Sequence, residues 1–176
     1  ALGLIIYSQN SLLFHENISM KSFYNILIII TLISITGIIN FINFMDGIDG
    51  LVGGSMVIIL SYIAINNYLY QYIWILVGSL IGFLIWNWSP SKIFMGDSGS
   101  TFLGALYSGI ILQAGNYREA ISILTLSLPL MLDALICIIR RSLDKQNVFT
   151  PHKLHLYQRL TQAGLSHSRV SSLYIG

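Results

Sequence analysis

The sequence predicts an all-α fold, a polytopic helical bundle embedded in a lipid bilayer. Three observations predict it. Hydrophobic residues fill 55% of the 176 positions and charged residues only 9%, against roughly 25% charged in soluble domains. Such a chain cannot clothe a water-facing surface, and its mean hydropathy of +0.72 says the same. Apolar runs of near-membrane length recur along it. Aromatic residues (Tyr68, Tyr70, Tyr72, Trp74, Trp86 and Trp88) gather near run ends, as they do at membrane interfaces. The net charge of +2 comes without a basic run, which gives no footing for a nucleic-acid partner. The single cysteine, Cys137, excludes an intramolecular disulfide and a cysteine-cluster metal site; inside an apolar run it reads as a small filler.

Five runs are candidates for spans of ~20 residues, at about 23–42, 51–67, 72–88, 101–114 and 120–139. Scattered Gly and Ser among the Ile and Leu suit close helix packing. The fourth run is short and is expected to start within the glycine loop ahead of it or to tilt little. The chain opens at Ala1 in an apolar stretch, Leu2 to Tyr7, and Leu173 to Gly176 resembles the start of another. Partial helices are therefore expected at both ends of a single membrane domain, residues 1–176 being the C-terminal part of a longer protein. No basic region, apolar core and cleavage site follow one another near the start, so no signal peptide is read.

Loops alternate sides, so 43–50, 89–100 and everything after 139 share one face. That face holds Lys92, Arg140, Arg141, Lys145, Lys153, Arg159 and Arg169, and the other holds Lys21 and Arg118, seven against two. The positive-inside rule makes the richer face cytosolic. Asp46, Asp49, Asp97 and a histidine-bearing loop over 140–165 all fall on it.

Ionisable side chains at membrane depth are costly and mark functional sites. Asp46 and Asp49, three residues apart, share a face if a helix begins there. Gly47 and Gly50 let a ligand approach the backbone, and Asn40 and Asn43 add amide groups one turn earlier. Helix capping is the plain alternative for any one of these residues. Asp97, between Gly96 and Ser98, stands just ahead of the fourth run, where free N–H groups favour an anion and an adjacent carboxylate suits Mg²⁺. In the tail, Thr150 reads as a cap and Pro151 as the first residue of a helix. On that helix His152, His155, Arg159 and Gln162 share one face and Leu156, Leu160 and Ala163 another. The polar face suits phosphate contact; a solvated side of an interfacial helix is the plain reading. Asp133 is expected to face the bundle or a polar cavity, or to bond a neighbouring helix. Asn87 and Pro90 shape the loop that presents Asp97.

These motifs together resemble a family. Asn40-x-x-Asn43-Phe-Met-Asp46-Gly-Ile-Asp49-Gly50-Leu51 looks like a signature of the polyprenyl-phosphate N-acetylhexosamine-1-phosphate transferases of glycosyltransferase family 4. Trp86-Asn87-Trp-Ser-Pro90-x-Lys-Ile-Phe94-Met-Gly-Asp97-Ser-Gly99-Ser is similar to a second signature. Leu128-Pro129-Leu-Met-Leu-Asp133 with Arg140-Arg141 resembles a third, and Pro151-His152-Lys153-x-His155-x-Tyr157-Gln158 a fourth. The resemblance implies an Mg²⁺-dependent transfer of a sugar-1-phosphate from a UDP-linked amino sugar to undecaprenyl phosphate, with release of UMP. It places the protein in the bacterial inner membrane with its site facing the cytosol, in the initiation of cell-envelope polysaccharide. It implies Asp97 and Asp46 as metal ligands, with Mn²⁺ as the alternative ion. Asp46, Asp49 and His155 become catalytic residues, and Asn40, Asn43, Asn87, His152, Lys153 and Arg159 substrate contacts. Homodimerisation is left open. Two departures stand out. The family's adjacent Asp-Asp pair on an earlier loop is absent, so this segment alone is expected to be inactive. Tyr157-Gln158 replaces further histidines, a pattern closer to the O-antigen branch.

Other classes of protein use the same residue types. An intramembrane aspartyl protease would use carboxylates near helix ends, but position 94 is Phe where its motif carries Gly, and Asp46 and Asp49 stay unexplained. A secondary transporter would hold acids at the midplane, whereas most here lie near one surface. Gly96-Asp97-Ser98-Gly99 resembles the nucleophile segment of trypsin-like proteases but joins two apolar helices.

Overall fold

The computed structural model describes residues 18–66, 71–144 and 155–176. Among these residues eight helices follow in order: α1 (Ile18–Phe44), α2 (Leu51–Asn66), α3 (Ile73–Asn87), α4 (Gly96–Leu112), α5 (Tyr117–Leu126), α6 (Leu128–Leu143), α7 (Leu156–Gln162) and α8 (His167–Ile175). Among the described residues there is no strand. The all-α, membrane-type architecture read from composition is the one observed.

At 27 residues, α1 extends about 40 Å at 1.5 Å per residue, enough to cross a hydrocarbon core of ~30 Å. Its polar side chains do not interrupt it. Thr31, Ser34 and Thr36 hydroxyls and the Asn40 amide each donate to the carbonyl four residues back at 2.8 Å. That satisfies a donor without a solvent partner, as an apolar setting requires. α1 alone among the described helices is long and apolar enough for a straight crossing, while α2 and α3 are shorter apolar helices. The fourth run begins in the glycine loop: α4 starts at Gly96, which puts Asp97 in its first turn. There the partial positive charge of the helix N-terminus favours a carboxylate.

The fifth run differs from the single span expected over 120–139. It is two helices, α5 and α6, bent by 76° at a break around Ser127. Pro129 supplies the cause, because it has no N–H for the carbonyl four residues back and its ring clashes there. The Ser127 amide turns to the Leu124 carbonyl. The carbonyl of Ile123 thereby loses its helical partner, and the buried Tyr107 hydroxyl reaches across from α4 to donate to it. Tyr107 and the Ser127 hydroxyl also lie 3.1 Å apart. A kink that would strand a buried carbonyl is thus satisfied from a neighbouring helix.

α1 packs along α4 and α2 along α3; α8 lies against α2, and α6 against α1. The core is continuous through Ile42, Met45, Leu51, Met56, Leu60, Leu103, Tyr107, Leu130 and Tyr157. Backbones approach most closely where Gly104 of α4 faces Ile39 of α1: a Cβ added there would stand 2.8 Å from the Ile39 Cα. The obstacle is main chain, so it cannot rotate away. Gly104→Val should therefore push α1 off α4 and cost on the order of 1–3 kcal/mol, read as a lowered unfolding temperature of the purified full-length protein.

Candidate functional site

Three segments far apart in sequence meet at one end of the bundle: the turn over residues 45–50, the α3–α4 connection, and the tail α7–α8. The turn is not helical. Asp46 N–H bonds the Asn43 carbonyl and Gly47 N–H the Met45 carbonyl, and α2 begins only at Leu51. The three-residue spacing of Asp46 and Asp49 therefore does not put them on one face. This corrects the helical expectation, and the two carboxylates have different neighbours.

Asp46 is half-buried and belongs with Asp97. Burial, and then the charge of Asp97, push its pKa from 3.8 up to about 6. Asn43 tethers the second acid: its Nδ2 donates to Asp97 Oδ1 at 3.2 Å and to Ser100 Oγ at 2.8 Å. Two like charges are thus held near each other beside an amide. Among the described residues no three His, Cys, Asp or Glu side chains converge. Hard oxygen donors in this number fit Mg²⁺, which is commonly held through one or two carboxylates plus substrate phosphates and water. The donor set does not suit zinc.

Asp49 is engaged by protein at both carboxylate oxygens. Ser91 Oγ donates to its Oδ1 at 2.8 Å and Ser91 N–H to its Oδ2 at 3.3 Å. His167 Nδ1 lies 3.2 Å from Oδ2, and Ser171 Oγ donates to the Asp49 carbonyl at 2.7 Å. Burial alone would raise the Asp49 pKa, but the Ser91 bonds and His167 outweigh it and hold the carboxyl below its ordinary range. Asn87, buried at the end of α3, makes a second fastening: its Oδ1 accepts from Gly50 N–H at 3.1 Å and its Nδ2 donates to the Ile93 carbonyl at 2.9 Å.

The space beside the two glycines is filled by protein rather than left for a ligand. Gly50 has φ +75° and a Cβ there would meet the Trp88 indole at 2.6 Å; at Gly47 it would collide with the Tyr157 hydroxyl. That hydroxyl donates to the Phe44 carbonyl at 3.2 Å. Only glycine permits both approaches.

The tail is held by Asp133 of α6. Its Oδ1 accepts from Leu156 N–H at 2.8 Å, and its Oδ2 accepts from Tyr157 N–H at 3.3 Å and from Tyr174 Oη at 2.6 Å. His155 Nδ1 lies 3.5 Å from Oδ1. This resolves the open reading of Asp133 in favour of bonds to neighbouring elements. α7 begins at Leu156, with His155 as its non-helical cap at φ −59° and ψ 149°. The helical face expected to run from His152 through His155 to Arg159 is thus interrupted at His155.

Of the residues singled out in the sequence, the structure brings Asn43, Asp46 and Asp97 together. Asp49 and Asn87 are fasteners of the surrounding loops. Asn40 bonds back to Thr36 within α1. His155 is buried beside Asp133 and stacks on Tyr157 with ring centroids 5.5 Å apart; Arg159 is exposed on α7. His152 and Lys153 lie outside the described residues, as do Thr150 and Pro151. Ser91, Tyr157, His167 and Ser171 were missed as site neighbours. Ser91 sits inside the second signature, and His167 follows the Gly164 stop and the Ser166 cap of α8, signals that mark a helix start but not its partner.

Residues 1–115 match the sequence model described as Glycosyl transferase family 4. A probable undecaprenyl-phosphate N-acetylglucosaminyl 1-phosphate transferase of Bacillus subtilis is 40% identical over 107 residues, covering 57% of this chain and 29% of the relative. A decaprenyl-phosphate N-acetylglucosaminephosphotransferase of Mycobacterium tuberculosis is 37% identical over 111 residues, covering 54% and 28%. A phospho-N-acetylmuramoyl-pentapeptide-transferase of Staphylococcus haemolyticus is 27% identical over 117 residues, covering 65% and 36%. The chain thus matches less than a third of the length of the first two relatives.

The Asp46 shift has a measurable consequence. Its folded pKa of about 6 exceeds the unfolded 3.8, so the folded state binds the extra proton between those values and loses stability as pH rises through them. The penalty is complete at pH 7.5 and absent below both pKa values. In metal-free buffer Asp46→Asn should raise the unfolding temperature at pH 7.5, by on the order of 2–4 °C per kcal/mol relieved. The gain should shrink as pH falls through 5 and be gone near pH 3.5.

Proposed function

This chain belongs to glycosyl transferase family 4, and from that premise we propose that the full-length protein transfers an N-acetylhexosamine-1-phosphate from a UDP-sugar to undecaprenyl phosphate. The observation that carries the reading is the Asn43–Asp46–Asp97 cluster, a cation-ready pair of acids formed by the two family-like signatures. The relatives' names support the polyprenyl-phosphate acceptor and the amino-sugar phosphate. The UDP donor, and a role in initiating O-antigen-like cell-envelope polysaccharide, are our extension of them. The excess of Lys and Arg on the acidic face supports a cytosolic site in the bacterial inner membrane. Nothing in the relatives' names supports the protease or transporter alternatives.

In this reaction an oxygen of the lipid phosphate attacks the β-phosphorus of the donor, and the bond from that phosphorus to the bridging oxygen breaks. UMP leaves with the electron pair, and the product is a lipid diphospho-sugar. Phosphoryl transfer asks the protein mainly for positioning and charge neutralisation. Asp46 and Asp97 would hold Mg²⁺, or Mn²⁺ in its place; when bound, the ion neutralises the diphosphate. Asn43 fixes the Asp97 carboxylate and leaves its own carbonyl oxygen for the nucleotide side. Asp49, held in one rotamer, presents its remaining edge to the nucleotide, with Asn40 one turn above. Asn87 acts on the substrate through the loop it fastens. His152, Lys153 and Arg159 serve the diphosphate as cations, while His155 sets the start of α7, the helix that carries Arg159.

Asp97→Asn in the full-length protein tests the assignment. With membrane insertion verified, UMP release at limiting Mg²⁺ should fall by about 10²–10³-fold, the scale of losing one preorganised electrostatic group. The Mg²⁺ concentration for half-maximal rate should move upward. Unchanged turnover at limiting Mg²⁺ removes Asp97 from the cation site and the reading with it.

A further inference from the structure

Residues 155–176 touch the acidic turn at three points, none of them through a residue proposed to contact the diphosphate. Tyr157 of α7 bonds the Phe44 carbonyl at 3.2 Å, where α1 ends. Ser171 of α8 bonds the Asp49 carbonyl at 2.7 Å, and His167, at the first position of α8, stands 3.2 Å from Asp49 Oδ2. These bonds cross 113 to 122 residues of sequence. Two of the three are not incidental surface contacts, because Tyr157 is 1% exposed and Ser171 fully buried, while the His167 side chain is half-exposed. Ser171 shows the selectivity of the arrangement. A buried serine within a helix ordinarily returns its hydroxyl to its own helix, as Ser108 does to Gly104. Ser171 reaches out of α8 instead.

The far end of the same element is anchored independently. Asp133 takes the Leu156 and Tyr157 amides and the Tyr174 hydroxyl, so both α7 and α8 are tied to α6. A strut needs two fixed ends, and this one has them: α6 behind and the turn over 45–50 in front. At the front, Asp49 is gripped at its carbonyl by Ser171 and at its carboxylate by His167 and Ser91. An acid that would otherwise sample several rotamers at a loop surface is left with one.

We infer that α7–α8 is a positioning clamp for the acidic turn and that His167 is the positioning residue that orients the Asp49 carboxylate. The catalytic consequence rests on the reading under Proposed function, in which Asp49 faces the nucleotide; the clamp itself does not. His167 touches no reacting atom. It acts through Asp49, so its loss should weaken donor binding and leave the lipid acceptor alone. An Asn at this position carries an amide N–H close to where imidazole Nδ1 stands, which makes His167→Asn the conservative variant.

The test uses the full-length protein carrying His167→Ala, His167→Asn or Ser171→Ala, with two measurements on each. Hydrogen exchange of the amides from Asp46 to Gly50 reads the clamp without reference to activity. His167→Ala and Ser171→Ala should each speed exchange there by about tenfold, the scale of one hydrogen bond to a charged or buried partner. His167→Asn should restore protection. In steady-state assays His167→Ala should raise KM for the UDP-sugar by about tenfold with KM for polyprenyl phosphate unchanged. The double variant Asp49→Asn/His167→Ala should be no worse than Asp49→Asn alone. Unchanged exchange over 45–50 in both alanine variants overturns the clamp, and so does an Asn variant as impaired as Ala. If the wild-type protein releases no UMP, the proposed reaction fails while the exchange measurement still decides the clamp. Should His167→Ala not fold, Ser171→Ala carries the same exchange test with the loss of a single hydroxyl.

Discussion

A helix that starts inside a packed interface must find acceptors for its first amides, since none lies within the helix itself. α7 starts in such a place, between buried His155 and buried Tyr157. The acceptor is Asp133, a carboxylate on another helix, which takes the Leu156 and Tyr157 amides together with the Tyr174 hydroxyl. Much follows from that one side chain. It fixes where α7 begins, and hence where Tyr157 meets Phe44 and fills the space above Gly47. Through Tyr174 it fixes α8, and hence where Ser171 and His167 meet Asp49. A carboxylate inside an apolar helix is costly, and here the cost is offset by three donors that would otherwise be unsatisfied as well. Neither side of the interaction is tolerable without the other.

The acids of this protein divide by partner. Asp133 and Asp49 each accept from protein donors at both carboxylate oxygens and serve as joints. Among the described residues Asp46 and Asp97 differ: the first has its pKa pushed up by burial and by the second, and the second has an Asn43 amide beside it. An electrostatic debt left standing in a folded protein is the usual mark of a site whose counter-charge arrives with a ligand. The division extends to the two described histidines of the tail. His155 is turned to Asp133 and His167 to Asp49, which keeps both imidazoles on joints.

The sequence made the class of fold legible because composition alone dictates it, and it made Asp46 and Asp97 legible because ionisable groups at helix ends in an apolar chain have few bland explanations. It placed the bend poorly. Pro129 was visible, yet a proline kinks or breaks a helix according to whether its neighbours can satisfy the freed carbonyls, and Tyr107 does so from α4. It paired Asp46 with Asp49 because the i, i+3 rule holds only on a helix, and residues 45–50 are turns. The glycines there were legible as permissive but not as occupied: what fills their space is Trp88 and Tyr157, 38 and 110 positions along. His167 and Ser171 carried no local signal of the partner each would meet. A fastening made across more than a hundred residues is a property of the assembled bundle, and no period or spacing announces it.

Two carboxylates that repel each other will drift apart unless the backbone carrying them is held. The backbone around Asp46 is held on both sides. On one, Asn43 bridges from the end of α1 to Asp97 and Ser100 of α4. On the other, Asp49 is bonded to Ser91 and Gly50 to Asn87, two ties to the connection that leads into α4. Asp97 stands in the first turn of the helix that this connection delivers. The separation of Asp46 and Asp97 is therefore set by bonds within the protein. This is the arrangement preorganisation requires: repulsion between the acids is met during folding, by bonds within the protein, rather than at the moment of binding. It also gives the tail a reason to grip Asp49 rather than Asp46. A clamp on Asp46 itself would neutralise that acid, whereas a clamp three residues on stiffens the turn and leaves the charge in place.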